Sequence, residues 1–148
     1  MVQQSKFDEV IEVFGGRANL GRGPWTSLLD FDRVIHEGIP VSAFRHAIES
    51  LGQPEKTIVE GIGISRTTLS RRKQSGRLGL IDSERAVRLG TIAALGKAAL
   101  GSTAAVGRWL LKPNAALGGA VPIGLLQTDV GAQHVEAVLG RALLGGFS

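Results

Sequence analysis

The chain has 148 residues, enough for one ordinary domain or two very small ones with a core that needs no covalent cross-links. It contains no cysteine, which excludes a disulfide framework and a thiolate zinc site. The formal net charge is +4, and residues 55–80 carry the excess, with six Lys or Arg against two Asp or Glu. A local basic patch is typical of a surface that contacts phosphate.

The first 24 residues are the least informative part of the chain. Residues 7–14 fit a short helix or a strand equally well, and the Gly-rich run at 15–24 predicts a loop. This loop suggests phosphate binding, but it lacks the Gly-Lys-Ser/Thr ending of a nucleotide-binding P-loop. A nucleotide enzyme acting through it is therefore a weak hypothesis. We treat residues 1–24 as an N-terminal segment whose flexibility is left open.

The rest of the chain has helical periodicity and lacks the apolar–polar alternation of strands, which predicts an all-α fold. Gly and Pro mark several of the helix ends. Roughly eight helices are predicted, at residues 25–37, 42–51, 55–62, 66–74, 82–100, 103–112, 122–126 and from 128 or 129 to about 143. We divide them into a helix-turn-helix domain at residues 25–80 and a second helical domain at residues 81–148.

Gly63 to Lys73 is typical of a helix-turn-helix that reads the major groove of DNA. Gly63 forms the turn, Ser65 can cap the next helix, and Leu69 anchors that helix inward. Val59 departs from the pattern, because a smaller alanine usually stands there and permits a close helix crossing. The alternative is a helix pair that serves only packing. The predicted DNA-binding residues are Ser65, Arg66, Thr67, Thr68, Ser70, Arg71, Arg72, Lys73, Gln74 and Arg77, of which Arg72, Lys73 and Arg77 suit backbone phosphates.

No constellation of residues for catalysis is apparent. The three histidines lie in different predicted helices, without the spacing of metal ligands, and no nucleophile motif is present. We therefore predict a protein that is not an enzyme and needs no metal or cofactor. The start of the chain is not that of a secretory signal, and the longest apolar region, 89–106, is interrupted by Lys97. The expectation is a cytoplasmic protein without a membrane span.

The second domain has a specific pattern: Trp109-Leu110 before Pro113-Asn114, then Leu117-Gly118-Gly119, Pro122, Leu125-Leu126, Thr128, Gly131, Val135 and Leu139-Gly140-Arg141. This run resembles the C-terminal toxin-binding domain of the Xre/MbcA/ParS antitoxin family. Residues 65–78 likewise resemble the Xre-like helix-turn-helix of that family. The likeness covers about residues 25–148.

The resemblance implies an antitoxin of a type II toxin–antitoxin system. Its partner would be a RES-domain toxin that degrades NAD⁺, and the antitoxin would cover the NAD⁺ entrance of the toxin with its C-terminal domain. It would also repress its own operon by binding operator DNA, as a homodimer within a larger hetero-oligomer. The alternative is a stand-alone transcription regulator whose C-terminal domain only oligomerises.

Within this resemblance, the end of the chain is the expected point of contact with the toxin. A hinge at Gly145-Gly146 would deliver the last two residues into a cleft, and two arginines would pair with acidic groups there. Apolar residues at 142–144 suggest a buried contact with the toxin or with a second copy. The simpler alternative is a frayed chain end. The expected toxin-binding residues are Arg108, Arg141, Leu144, Gly145, Gly146, Phe147 and Ser148.

Overall fold

The computed structural model describes the backbone of residues 2–71 and 76–145, and their side chains apart from those of residues 2–5 and 71. The predicted all-α class is confirmed, since within these ranges the extended pairing is limited to one isolated bridge between Pro40 and Arg77. The helices are α1 Val2–Val13, α2 Arg17–Leu20, α3 Leu29–Glu37, α4 Val41–Ser50, α5 Glu55–Gly61, α6 Arg66–Arg71, α7 Leu80–Leu100, α8 Thr103–Leu110, α9 Pro122–Leu125 and α10 Asp129–Leu143, with a 3₁₀ turn at Ala115–Leu117.

Helix α7 is the central element, and α1, α3, α8 and α10 pack around it. Small residues permit these close approaches. A Cβ on Gly90 of α7 would collide with the ring of Phe14, and one on Gly107 of α8 would collide with the carbonyl of Leu51 at the end of α4. Side chains from both predicted domains share a single hydrophobic cluster. The hydrophobic core therefore continues across the predicted domain boundary at residue 80.

Within the first 24 residues, six described side chains belong to this core: Phe7, Val10, Ile11, Val13, Phe14 and Leu20. Residues 7–14, ambiguous in the sequence, belong mostly to helix α1. Phe7 and Phe14 are 1% and 0% exposed, because the first contacts the Phe31 ring edge-on at 5.7 Å and the second lies against α7. The predicted loop also contains a short helix, α2, whose Leu20 is buried.

The predicted helix at residues 25–37 begins later than expected, at Leu29. The reason is a turn built on Asp30, whose carboxylate accepts hydrogen bonds from the N–H of Thr26 at 2.7 Å and of Ser27 at 2.9 Å. These hydrogen bonds hold the pKa of the Asp30 carboxyl below its usual value, and the bond from the Thr26 N–H has the largest effect. Trp25 is buried outside the helix and donates its indole N–H to the Gly21 carbonyl.

The other helix boundaries agree with the predicted ones to within about two residues, and α7 begins at Leu80 rather than at Asp82. The predicted end of the helix at residues 66–74 lies outside the described residues. Among the described residues, no single helix is long and apolar enough to cross a membrane. Helices α7 and α8 pass that test only as a pair, by length and composition, and they meet at a bend of 108°.

Candidate functional site

Helices α5 and α6 form the predicted helix-turn-helix. Gly63 occupies the turn with φ +79°, a backbone conformation that favours glycine. The Ser65 hydroxyl then accepts the N–H of Thr68 at 3.3 Å and so caps α6, as the sequence predicted. Ile64 and Leu69 are each 2% exposed and hold α6 against the core. Val59, the departure from the expected alanine, is fully buried in α5.

The outer face of α6 is polar and open. Ser65, Arg66, Thr67 and Ser70 are exposed, and Thr68 is half-buried. Arg66 forms no ion pair with any residue that the structure describes. This face therefore presents hydroxyls and a cation to solvent, as a groove reader requires. Of the other predicted DNA-binding residues, Arg72, Lys73 and Gln74 lie outside the described residues, as does the side chain of Arg71.

Arg77 has a structural contact that the sequence did not reveal. Its Nη1 donates to the carbonyl of Gly38 at 2.9 Å, at the end of α3. A Cβ on Gly38 would lie 2.6 Å from the carbonyl oxygen of Leu78, so the chain passes very close here. Arg77 thus connects the segment after α6 to the end of α3.

The last helix, α10, begins with a cap and ends in an apolar surface. The Thr128 hydroxyl accepts the N–H of Gly131 at 3.0 Å, which confirms the predicted start. At the other end, Leu143 is 49% and Leu144 90% exposed. Gly145 follows with φ +91°, a backbone conformation that favours glycine. Gly146, Phe147 and Ser148, predicted to enter the toxin, lie outside the described residues.

Leu143 also lines a groove of about 560 Å³ between α1 and the second half of α7. Ala94, Leu95 and Ala98 of α7 are further apolar residues of its wall. An ion pair crosses the rim, with Lys97 Nζ 3.6 Å from Glu9 Oε2. The N-terminal helix therefore shares a surface with the end of α10, which sequence reasoning missed because the two lie at opposite ends of the chain.

The two arginines predicted to meet acidic groups are both exposed. Arg108 lies on α8 and Arg141 on α10, and both helices pack against α7. Neither forms an ion pair with a described residue, so both guanidinium groups are open to a partner.

The three histidines lie in separate environments. His46 Nδ1 is 3.1 Å from the carbonyl of Val13 and His36 Nδ1 is 2.9 Å from that of Asp32, whereas His134 is exposed on α10. Within the described part of the chain, no three or more His, Asp or Glu side chains are grouped so as to hold a metal ion.

Two protein-family models match this chain. Residues 30–90 match the antitoxin Xre-like helix-turn-helix domain. Residues 95–143 match the antitoxin Xre/MbcA/ParS C-terminal toxin-binding domain. The chain belongs to the Xre/MbcA/ParS antitoxin family. No curated protein matches it. The antitoxin thus joins a helix-turn-helix domain, which contains α5 and α6, to a toxin-binding domain that contains α8, α9 and α10.

Two further side chains of the antitoxin reach the helix-turn-helix from elsewhere in the fold. Arg85 of α7 donates to the carbonyl of Gly63 at 2.7 Å, and Gln127, just before α10, donates to that of Gly61 at 3.0 Å. Neither residue belongs to a local motif, so only their positions in the folded chain reveal them.

Proposed function

We propose that this antitoxin neutralises a RES-domain toxin that degrades NAD⁺, by covering the toxin active site with the end of α10. The observation that carries this proposal is the pair of exposed leucines, Leu143 and Leu144, at the end of the matched toxin-binding region. Exposed apolar side chains at a helix end are costly in water and gain stability when a partner covers them. Arg141, one turn earlier, adds a cation for an acidic group on the toxin.

We further propose that the antitoxin represses its own operon as a homodimer. Two basic reader helices related by a two-fold axis would place α6 of each copy in successive major grooves. The exposed polar face of α6 and the basic balance of residues 55–80 support this. The alternative regulator without a toxin is less well supported, because residues 95–143 match a toxin-binding domain.

Growth rescue beside the toxin tests the first proposal. Cells that express the neighbouring RES-domain toxin should lose NAD⁺ and stop growing, and the full antitoxin should restore both. A chain that lacks residues 141–148 should fail to rescue while it retains operator binding. Rescue by the shortened chain would contradict the proposed role of the end of α10.

A pair of matched arginine variants separates the two activities. Arg66→Ala should weaken binding to a duplex from the upstream region of the gene by about 5- to 150-fold, the range for a lost base contact of about 1–3 kcal/mol. It should leave rescue unchanged. Arg141→Ala removes the same charge and should impair rescue while operator binding is kept. If either variant impaired both activities equally, the assignment of the two surfaces would be wrong.

A further inference from the structure

We infer that Arg85 and Gln127 are positioning residues for DNA reading, which hold the turn of the helix-turn-helix from outside the motif. We call the two hydrogen bonds that they donate, to Gly63 and Gly61, the turn clasp. This inference rests on the operator binding proposed above. The inference also goes beyond operator binding, because Gln127, a residue next to the toxin-binding helix α10, would help to position the DNA-binding helix α6.

The carbonyls at the end of α5 explain why the clasp is needed. The last four carbonyls of an α-helix have no partner within the helix. Here the N–H groups that follow satisfy three of them: Ile62 binds the Ile58 carbonyl at 3.1 Å, Ile64 binds Val59 at 3.0 Å, and Gly63 binds Glu60 at 3.1 Å. The fourth carbonyl, that of Gly61, accepts its hydrogen bond from Gln127, 66 residues later in the chain.

Arg85 completes the same turn from a second direction. Its guanidinium binds the Gly63 carbonyl at 2.7 Å, a charge-assisted bond of the stronger kind. A Cβ on Gly63 would lie 3.0 Å from Arg85 Nη1 and 3.2 Å from Gln127 Cδ, so both side chains close over the glycine. The clasp therefore spans the turn at both of its ends.

The backbone next to Gln127 is itself held in place. Arg88, one turn after Arg85, donates to the carbonyl of the fully buried Leu126 at 2.7 Å and forms an ion pair with Glu84. Gln127 lies between Leu126 and the cap residue of α10. Ile123 of α9 also contacts the end of α5, since a Cβ on Gly61 would lie 2.9 Å from it.

Helix α6 depends on this turn for its direction. The structure describes six residues of it, and a helix of this length gains its order from tertiary contacts. Its buried anchor is Leu69, and its start is set by the turn and by the cap at Ser65. Without the clasp, the turn would sample more conformations in the free protein. Ordering it again would then weaken DNA binding.

The test measures binding of the full antitoxin to the upstream duplex, together with hydrogen exchange of amides 60–69 in the absence of DNA. We expect affinity to fall about threefold for Gln127→Ala and about tenfold for Arg85→Ala, as a neutral and a charge-assisted hydrogen bond predict. Amides 60–69 should exchange faster in both variants. Gln133→Ala, on the exposed side of α10 where its amide binds Asp129, and Arg141→Ala are the matched controls and should change neither quantity.

Salt dependence separates the clasp from a direct contact with phosphate. If Arg85 touched DNA, its loss would reduce the slope of log affinity against log salt by about one. The clasp predicts an unchanged slope. Wild-type affinity in both variants, unchanged exchange, or a reduced slope would each overturn the inference. If the wild-type antitoxin did not bind the duplex, the proposed operator binding would fail, and the exchange measurement would still decide whether the clasp orders the turn.

Discussion

The hydroxyl of Ser83, on the first turn of α7, accepts a hydrogen bond from the backbone N–H of Ile39, 44 residues earlier, at 2.9 Å. The same hydroxyl donates to the carbonyl of Leu78 at 3.2 Å. Ser83 and Ile39 are both 0% exposed. One buried side chain thus joins the loop after α3 to the start of the central helix, within the region that matches the helix-turn-helix domain.

Removal of this hydroxyl should destabilise the antitoxin. Ser83→Ala leaves the buried N–H of Ile39 without its partner, so we expect the free energy of unfolding to fall by about 1–3 kcal/mol. Denaturant unfolding followed by circular dichroism measures it. Ser27→Ala is the control, since the Ser27 side chain is exposed and its bond to Asp30 uses the backbone N–H. Equal stability of the two variants would contradict the role of Ser83.

The close approach of α8 to α4 yields a second prediction. Gly107→Ala would place a Cβ against the Leu51 carbonyl, a backbone atom that cannot rotate away, and should lower the free energy of unfolding by at least about 2 kcal/mol. Gly140→Ala is the matched substitution in α10, where a Cβ would meet nothing within 4 Å. It should be neutral or stabilise by up to about 1 kcal/mol. The two melting temperatures should therefore move apart; a common shift would be evidence against the close approach.

The turn around Asp30 predicts a dependence of stability on pH. Because the folded-state pKa of this carboxyl is lowered, its stabilising contribution is full above the ordinary pKa of about 3.9 and is lost as pH falls through the lowered value. Asp30→Asn should melt below the wild type at pH 7, and the gap should narrow below about pH 4. Thermal melts from pH 7 to pH 3 measure the gap. A gap that stayed constant over this range would show that the charge of Asp30 does not stabilise the turn.

The exposed leucines predict a separation of toxin binding from stability. Leu144→Asp should weaken the complex with the toxin by about tenfold or more, since it would place an unpaired charge in a buried contact. The melting temperature should be unchanged because Leu144 is 90% exposed. Val130, 67% exposed at the opposite end of α10, offers the control Val130→Asp. Calorimetric titration with the toxin compares the two, and equal affinities would place the contact elsewhere.

Local signals in the sequence were sufficient for most of the helices and for the helix-turn-helix. The turn at Gly63, the cap at Ser65 and the buried Leu69 were all predicted, because each depends on residues within one or two turns of helix. The family was also recognisable, since both domains carry motifs of fixed spacing.

Other features depended on contacts between distant parts of the chain. Composition suggested a loop before Trp25 and left the first helix undecided, yet Phe7 and Phe14 are buried because α3 and α7 supply the surface that covers them.

The sequence by itself therefore determined the helical class, the helix-turn-helix and the family, through short-range patterns of polarity, capping and glycine. Only the tertiary structure decided which distant side chains bind the backbone at the ends of its helices. Arg77 was predicted as a phosphate contact, and Arg85 and Gln127 carry no local signal in the sequence. Each donates to a backbone carbonyl in a distant segment. Hydrogen bonds of this kind depend on which helix ends lie close together in the folded chain. The local periodicity of the sequence does not predict those contacts.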